Sequence, residues 1–151
     1  MKPYIEMLPA YRIAYMSNIG PYGPENVKLM ESLKHWAMGE GLLDDQSILL
    51  GIAQNDPSVT KPELCRYDTG LVISVDLKLD HDAVNLGNIV GGKYCVFKIS
   101  HTAEAVQKAW SEMFPKLLEA GYQIDQARPI LERYKAELVN NHWCEICVPI
   151  N

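Results

Sequence analysis

The sequence predicts an α+β fold: a tandem repeat of two βαββ units with antiparallel sheets, one helix per repeat and a ligand cleft between the repeats. Three observations predict it. The order strand–helix–strand–strand occurs twice along the chain. Landmarks recur at an offset of roughly 80 residues, Gly41 with Gly121 and Arg12 with Lys93. The 151-residue length suits one domain, 1–151, with repeat one at about 4–77 and repeat two at about 86–150.

The first unit begins at residues 11–19, YRIAYMSNI, where Tyr, Ile and Met alternate as in a strand. Gly20-Pro21-Tyr22-Gly23-Pro24 is a turn, and Pro24 suits a first helical position. Residues 25–40 read as a helix, because Val27, Met30, Leu33, Trp36 and Ala37 recur at three- and four-residue spacing. Gly39 and Gly41 mark its end. Strands follow at about 47–54 and 65–76, separated by a loop running from Asn55-Asp56-Pro57 to Pro62. The stretch 78–88 is polar and turn-rich and separates the units.

The second unit opens with a strand at 92–100, GKYCVFKIS. Thr102 can cap a helix whose apolar face is Val106, Ala109, Trp110, Met113, Leu117 and Leu118, ended by Gly121. Pro115 should kink that helix by removing a backbone hydrogen bond. Strands at about 128–134 and 142–150 complete the unit.

Composition narrows the function classes. The formal charge of −5 argues against an extended basic footprint for nucleic acid or an anionic membrane. It leaves neutral and cationic small molecules open. No run approaches the roughly 18 apolar residues of a membrane span, and residues 1–10 carry no apolar signal-peptide core. The expected location is the cytoplasm, with Cys65, Cys95, Cys144 and Cys147 reduced.

Two motifs fail on context. Gly87 to Lys93 has the spacing of a phosphate loop, but Tyr94 replaces the Ser or Thr, and a strand follows where a helix is required. Cys144-Glu145-Ile146-Cys147 has CxxC spacing on a strand, where residues three apart point to opposite faces. His35, His81, His101 and His142 show no ligand spacing. No metal and no cofactor are expected.

The last strand, His142 to Ile150, carries the chemistry. Alternation places Cys144, Ile146, Val148 and Ile150 on one face and Trp143, Glu145 and Cys147 on the other. An aromatic plane beside a carboxylate can stack a flat ligand and meet a positive charge or activate water. Glu132 with Tyr134 forms a second such face, and Tyr67 lies in Arg66-Tyr67-Asp68 of the first unit.

Ordered blocks span nearly the whole chain: Leu8-Pro9-Ala10-Tyr11-Arg12-Ile13-Ala14-Tyr15, Gly20-Pro21-Tyr22, Asp56-Pro57, Pro62-Glu63-Leu64-Cys65-Arg66-Tyr67-Asp68, Gly91-Gly92-Lys93-Tyr94, Lys108-Ala109-Trp110, Glu132-Arg133-Tyr134 and Glu145-Ile146-Cys147-Val148-Pro149-Ile150. With them the sequence resembles the GyrI-like small-molecule-binding domains. The resemblance implies a tandem βαββ, SHS2-like fold with a ligand cleft between the halves. That family includes effector-binding domains fused to transcription regulators and standalone proteins such as the DNA gyrase inhibitor. Residues 1–10 leave no room for a helix-turn-helix, so direct nucleic-acid binding is not expected.

Trp143-Cys144-Glu145 is similar to the Trp-x-Glu ending of a branch that hydrolyses cyclopropane-bearing, DNA-alkylating natural products. Carried over, the resemblance makes Glu145 the base that orients or deprotonates water and Trp143 an aromatic wall. Tyr134, Tyr67, Trp110 and Tyr15 would line the cleft. The expected activity is detoxification of flat lipophilic electrophiles by water attack on the ring. Two other readings remain: sequestration of lipophilic cations without turnover, and contact with DNA gyrase.

Overall fold

The first and second strands are joined by only two residues, Pro9 and Ala10, yet they lie six strand spacings apart in the same sheet. Six spacings would span about 29 Å in a flat sheet. Three Cα steps reach about 11 Å at most. The sheet is therefore curled.

In this computed structural model residues 2–79 and 82–151 are described; His81 falls outside them. The strands are β1 (Tyr4–Leu8), β2 (Tyr11–Ile19), β3 (Ile48–Ala53), β4 (Arg66–Ile73), β5 (Asn85–Ile89), β6 (Gly92–Ser100), β7 (Ile130–Lys135) and β8 (Trp143–Pro149). Helix α1 (Pro24–Gly39) follows β2, α2 (Ala103–Glu119) follows β6, and the short α3 (Ala136–Val139) follows β7. One 3₁₀ turn covers Pro62–Leu64. All strands form one antiparallel sheet, ordered β1-β6-β8-β7-β3-β4-β2-β5.

The two edge strands and α3 were not anticipated. β1 pairs with β6 in the other half of the chain, and β5 pairs back with β2. Val90 and Gly91 link β5 to β6 across another six spacings. The two short links lie against each other: a Cβ on Gly91 would come within 2.7 Å of the Leu8 carbonyl and the Ala10 nitrogen. Gly92 has φ +141° and a Cβ there would meet Arg128, so local packing accounts for the Gly-Gly of the false phosphate loop.

Helices α1 and α2 end in the same device. Gly41 and Gly121 take positive φ, 69° and 83°. Their N–H groups bond to the carbonyls of Met38 and Leu118, and the next N–H groups, of Leu42 and Tyr122, bond to those of Ala37 and Leu117. This is a Schellman ending, which needs glycine at that place. The Thr102 hydroxyl caps α2 by accepting the Ala105 N–H at 3.1 Å, as expected, and α2 continues through Pro115.

The sheet has two different faces. On one, α1 covers β2 and β4 through Leu33 and Ala37 against Ala14 and Leu71. On the same face α2 covers β6 and the neighbouring β8 through Ala109, Met113 and Leu117 against Phe97, Ile146 and Val148. The centre of the sheet, β3 and β7, runs between the helices. The other face is the inside of the curl, packed with Tyr11, Ile13, Leu50, Ile52, Val96 and Leu131.

Candidate functional site

β7 reads Ile130-Leu131-Glu132-Arg133-Tyr134-Lys135. Alternation sends Leu131 and Arg133 into the curl and Ile130, Glu132 and Tyr134 to the helix side. Each face then builds its own polar cluster.

Inside the curl, Arg133 is fully buried. It pairs across to Glu145 in the β7–β8 register. Its Nε donates to Glu145 Oε1 at 2.9 Å, and one terminal nitrogen donates to Oε2 at 3.1 Å. Both terminal nitrogens also donate to Glu6 of β1, at 3.0 Å each, and one reaches the Tyr11 hydroxyl of β2 at 3.3 Å. Those reaches, from the far strands to the middle of the sheet, are products of the curl. Tyr4 donates to Glu145 Oε2 at 2.7 Å, and the Lys135 ammonium lies 3.7 Å from Oε1. Burial works against the charge on Arg133, but the hydrogen bonds to Glu6 and Glu145 outweigh it and raise its pKa. The bond from Arg133 in turn holds Glu6 below the usual carboxylate range.

On the helix side, Tyr67 of β4 is buried and donates to Glu132 Oε1 at 2.7 Å. Glu132 and Tyr134 are partly exposed. Burial, then the Glu132 charge, raises the pKa of both tyrosines, so both remain protonated donors. Tyr134 touches the hydrophobic clusters under both helices, which places it between them. Tyr22, from the β2–α1 turn, meets Tyr67 edge-on at 5.9 Å. Its hydroxyl donates toward the carbonyls of Asn55 and Arg66, 3.0 and 2.8 Å away, and accepts the Asn55 N–H at 3.1 Å. At the other end His101 lies 5.5 Å from the Tyr134 ring. Burial, then Lys34 and His142, hold His101 below the usual histidine pKa. Cys144, on the helix side of β8, is pushed up to about 12, by burial first and then by Glu132, so it stays a thiol.

The two carboxylates differ in their compensation. Glu145 is 2% exposed and faces an arginine with both oxygens. Among the described residues Glu132 is in none of the ion pairs; its partners are phenols. A partly enclosed anion with neutral donors and aromatic neighbours can receive a cation.

The structure brings together only some of the expected residues. Tyr67 and Tyr134 meet around Glu132, and Trp110 sits on the same side of the sheet, half-buried in α2 at 6.4 Å from Phe114. Glu145, Trp143 and Tyr15 lie on the opposite face. Trp143 is 38% exposed under the Lys98 ammonium, 4.8 Å from its ring. Tyr15 packs on the inner cluster, with the Arg66 guanidinium 6.0 Å from its ring. The sequence signal for Glu132 was its alternation with Tyr134; what it lacked was the identity of the inside face. Two shallow hollows, of about 280 and 400 Å³, lie elsewhere, beside Ser47 and Lys135 and beside Arg12 and Leu77. Among the described residues no cluster of three or more His, Cys, Asp and Glu side chains is placed to hold a metal ion. Nor is any helix there long and apolar enough to cross a membrane.

A family model described as GyrI-like small molecule binding domain matches residues 1–151. The chain is 45% identical over 151 residues to the SPbeta prophage-derived protein YosT of Bacillus subtilis (strain 168), named a candidate transcriptional regulator, with 99% of each chain covered. Among solved structures it is similar to the C-terminal domain of EcmrR, with a TM-score of 0.74 at 11% identity, covering 99% of this chain and 97% of that one. It spans 57% of EcmrR in that protein's complex with DNA. It is also similar to SAV2435 bound to tetraphenylphosphonium, with a TM-score of 0.65 at 15% identity, covering 100% and 94%. At these identities the solved structures show the fold.

Proposed function

The chain belongs to the GyrI-like small molecule binding domain family, and we propose that it binds a flat, lipophilic cation over Glu132, on the strip of sheet between α1 and α2 that is called the trough below. The observation that carries this reading is Glu132: a half-buried carboxylate held by Tyr67 and without an ion-pair partner among the described residues. A cation about 4.5 Å from it would gain roughly 4 kcal/mol at an effective dielectric of about 20, before desolvation. Aromatic faces add about 0.5–2 kcal/mol. A cation with delocalised charge and large apolar area is the one for which desolvation costs least. SAV2435, which shares the fold, is bound in its structure to tetraphenylphosphonium, a lipophilic cation of delocalised charge, tetrahedral rather than flat.

The trough is the cleft expected between two repeats. The strand order supports that reading, because exchanging β1 with β5, β2 with β6, β3 with β7 and β4 with β8 reverses it onto itself. The boundary between the units then falls between β3 and β7, beneath the ligand.

Hydrolysis of a strained electrophile is the second reading. The Tyr67–Glu132 pair favours it: Tyr67 fixes Glu132 through Oε1, and the carboxylate's other oxygen can accept a water proton. In it Glu132 takes the water proton, the water oxygen bonds to a ring carbon, the ring C–C bond breaks toward the conjugated acceptor, and the electron pair left on that acceptor takes the proton back from Glu132. Glu132 is the base in this reading, in place of Glu145, because Arg133 occupies both oxygens of Glu145 and no arginine holds Glu132 among the described residues. A role within a regulator, or at DNA gyrase, would use the same trough as its sensor.

The test is equilibrium titration with tetraphenylphosphonium, followed by intrinsic fluorescence. The wild-type protein should bind saturably, and Glu132→Gln should weaken binding by at least about tenfold, the worth of one charge interaction. Equal affinity in the two proteins would reject Glu132 as the counter-charge. Conversion of a cyclopropane electrophile to its water adduct, lost in Glu132→Gln, would establish the second reading.

A further inference from the structure

Gly51 sits in β3 between two pairing partners, Thr69 of β4 and Glu132 of β7, and is buried. Glycine weakens a central strand, since it loses more backbone freedom and packs no side chain. Its backbone does not require it: Gly51 is not among the positive-φ glycines. The reason lies above it. A Cβ on Gly51 would stand 2.7 Å from Glu132 Oε1, 3.1 Å from Tyr67 Cζ and closer still to the Tyr67 hydroxyl. The phenol therefore occupies the space of a β3 side chain.

We infer that Gly51 is a positioning residue of the trough: its bare Cα lets the Tyr67 hydroxyl cross β3 and hold the Glu132 carboxylate on the floor. This rests on the trough being the ligand site. Tyr67 comes from β4 and Glu132 from β7, with β3 between them. Any side chain on β3 at this point would stand between donor and acceptor. Glu132 would then lose its phenolic partner and its fixed place beneath the ligand.

The test is a double-mutant cycle on tetraphenylphosphonium affinity, with Gly51→Ala, Tyr67→Phe and both. Gly51→Ala should weaken binding about tenfold in the wild-type background, as for one lost hydrogen bond to a charged group. In the Tyr67→Phe background, where the hydroxyl is gone, the cost should be several-fold smaller, the remainder coming from Glu132 Oε1, which the same Cβ would still meet. Equal costs in both backgrounds, or none in the wild type, would overturn the inference. The Tyr67 Cζ resonance in ligand-free protein is the second readout. It should move in Gly51→Ala with the melting temperature little changed; an unmoved resonance would also overturn the inference. If the wild-type protein bound no tetraphenylphosphonium, the reading of the trough would fall, and this ligand-free readout would still decide the role of Gly51.

Discussion

Replacing Arg133 with Met separates a structural ion cluster from a ligand site. Arg133 is fully buried, Glu145 is 2% exposed, and the Glu6 side chain is 29% exposed. Methionine fills much of the volume but leaves the Glu145 carboxylate buried without its guanidinium. Removing one partner of a buried pair costs about 3–5 kcal/mol. At this chain length that corresponds to a fall in Tm of roughly 10–15 °C. The paired change Arg133→Met with Glu145→Leu removes both charges and should recover much of the loss, because apolar replacement of a whole pair is close to neutral. The acid limb gives a second signature. The depressed carboxyl of Glu6 contributes stability that is present above the ordinary glutamate value of about 4.3 and is lost as pH falls through its folded value. Arg133→Met removes that contribution, so the gap between the two proteins should narrow in acid. Urea unfolding from pH 7 down to pH 3 measures both. An Arg133→Met protein within about 0.5 kcal/mol of wild type at pH 7, or a double variant no more stable than the single, would refute the reasoning.

Two further outcomes follow from local contacts. His101 should titrate by NMR below the ordinary value of about 6.5, and Lys34→Gln should raise its midpoint by removing a nearby positive charge; an unchanged midpoint would break the link across the trough between α1 and the start of α2. Gly91→Ala should destabilise by about 2 kcal/mol or more in thermal unfolding, because its Cβ meets backbone atoms of Leu8, Pro9 and Ala10 that have no side-chain freedom to yield.

The elements that were legible in the sequence are those whose signal is local. The α1 and α2 faces show in the spacing of Leu33 with Ala37 and of Ala109, Met113 and Leu117, and their ends in Gly41 and Gly121. β1 and β5 were not legible. Each is a five-residue edge strand with only one buried residue, and each takes its partner from the other half of the chain. Their pairing follows from the curl, which no window of sequence contains. The same gap explains the choice between two glutamates. Alternation separates the faces of β7 and β8 but does not say which face closes on itself. Only the closed sheet brings Tyr4, Glu6 and Tyr11 to the Arg133–Glu145 pair and leaves Glu132 with the phenols.

The central claim is that the ligand sits over Glu132. NMR chemical-shift mapping with tetraphenylphosphonium tests it most directly. Shifts should concentrate at Tyr67, Glu132, Tyr134 and the facing residues of α1 and α2, with Tyr4, Glu145 and Trp143 unmoved. Shifts centred on Trp143 and Glu145, with Glu132 silent, would contradict it.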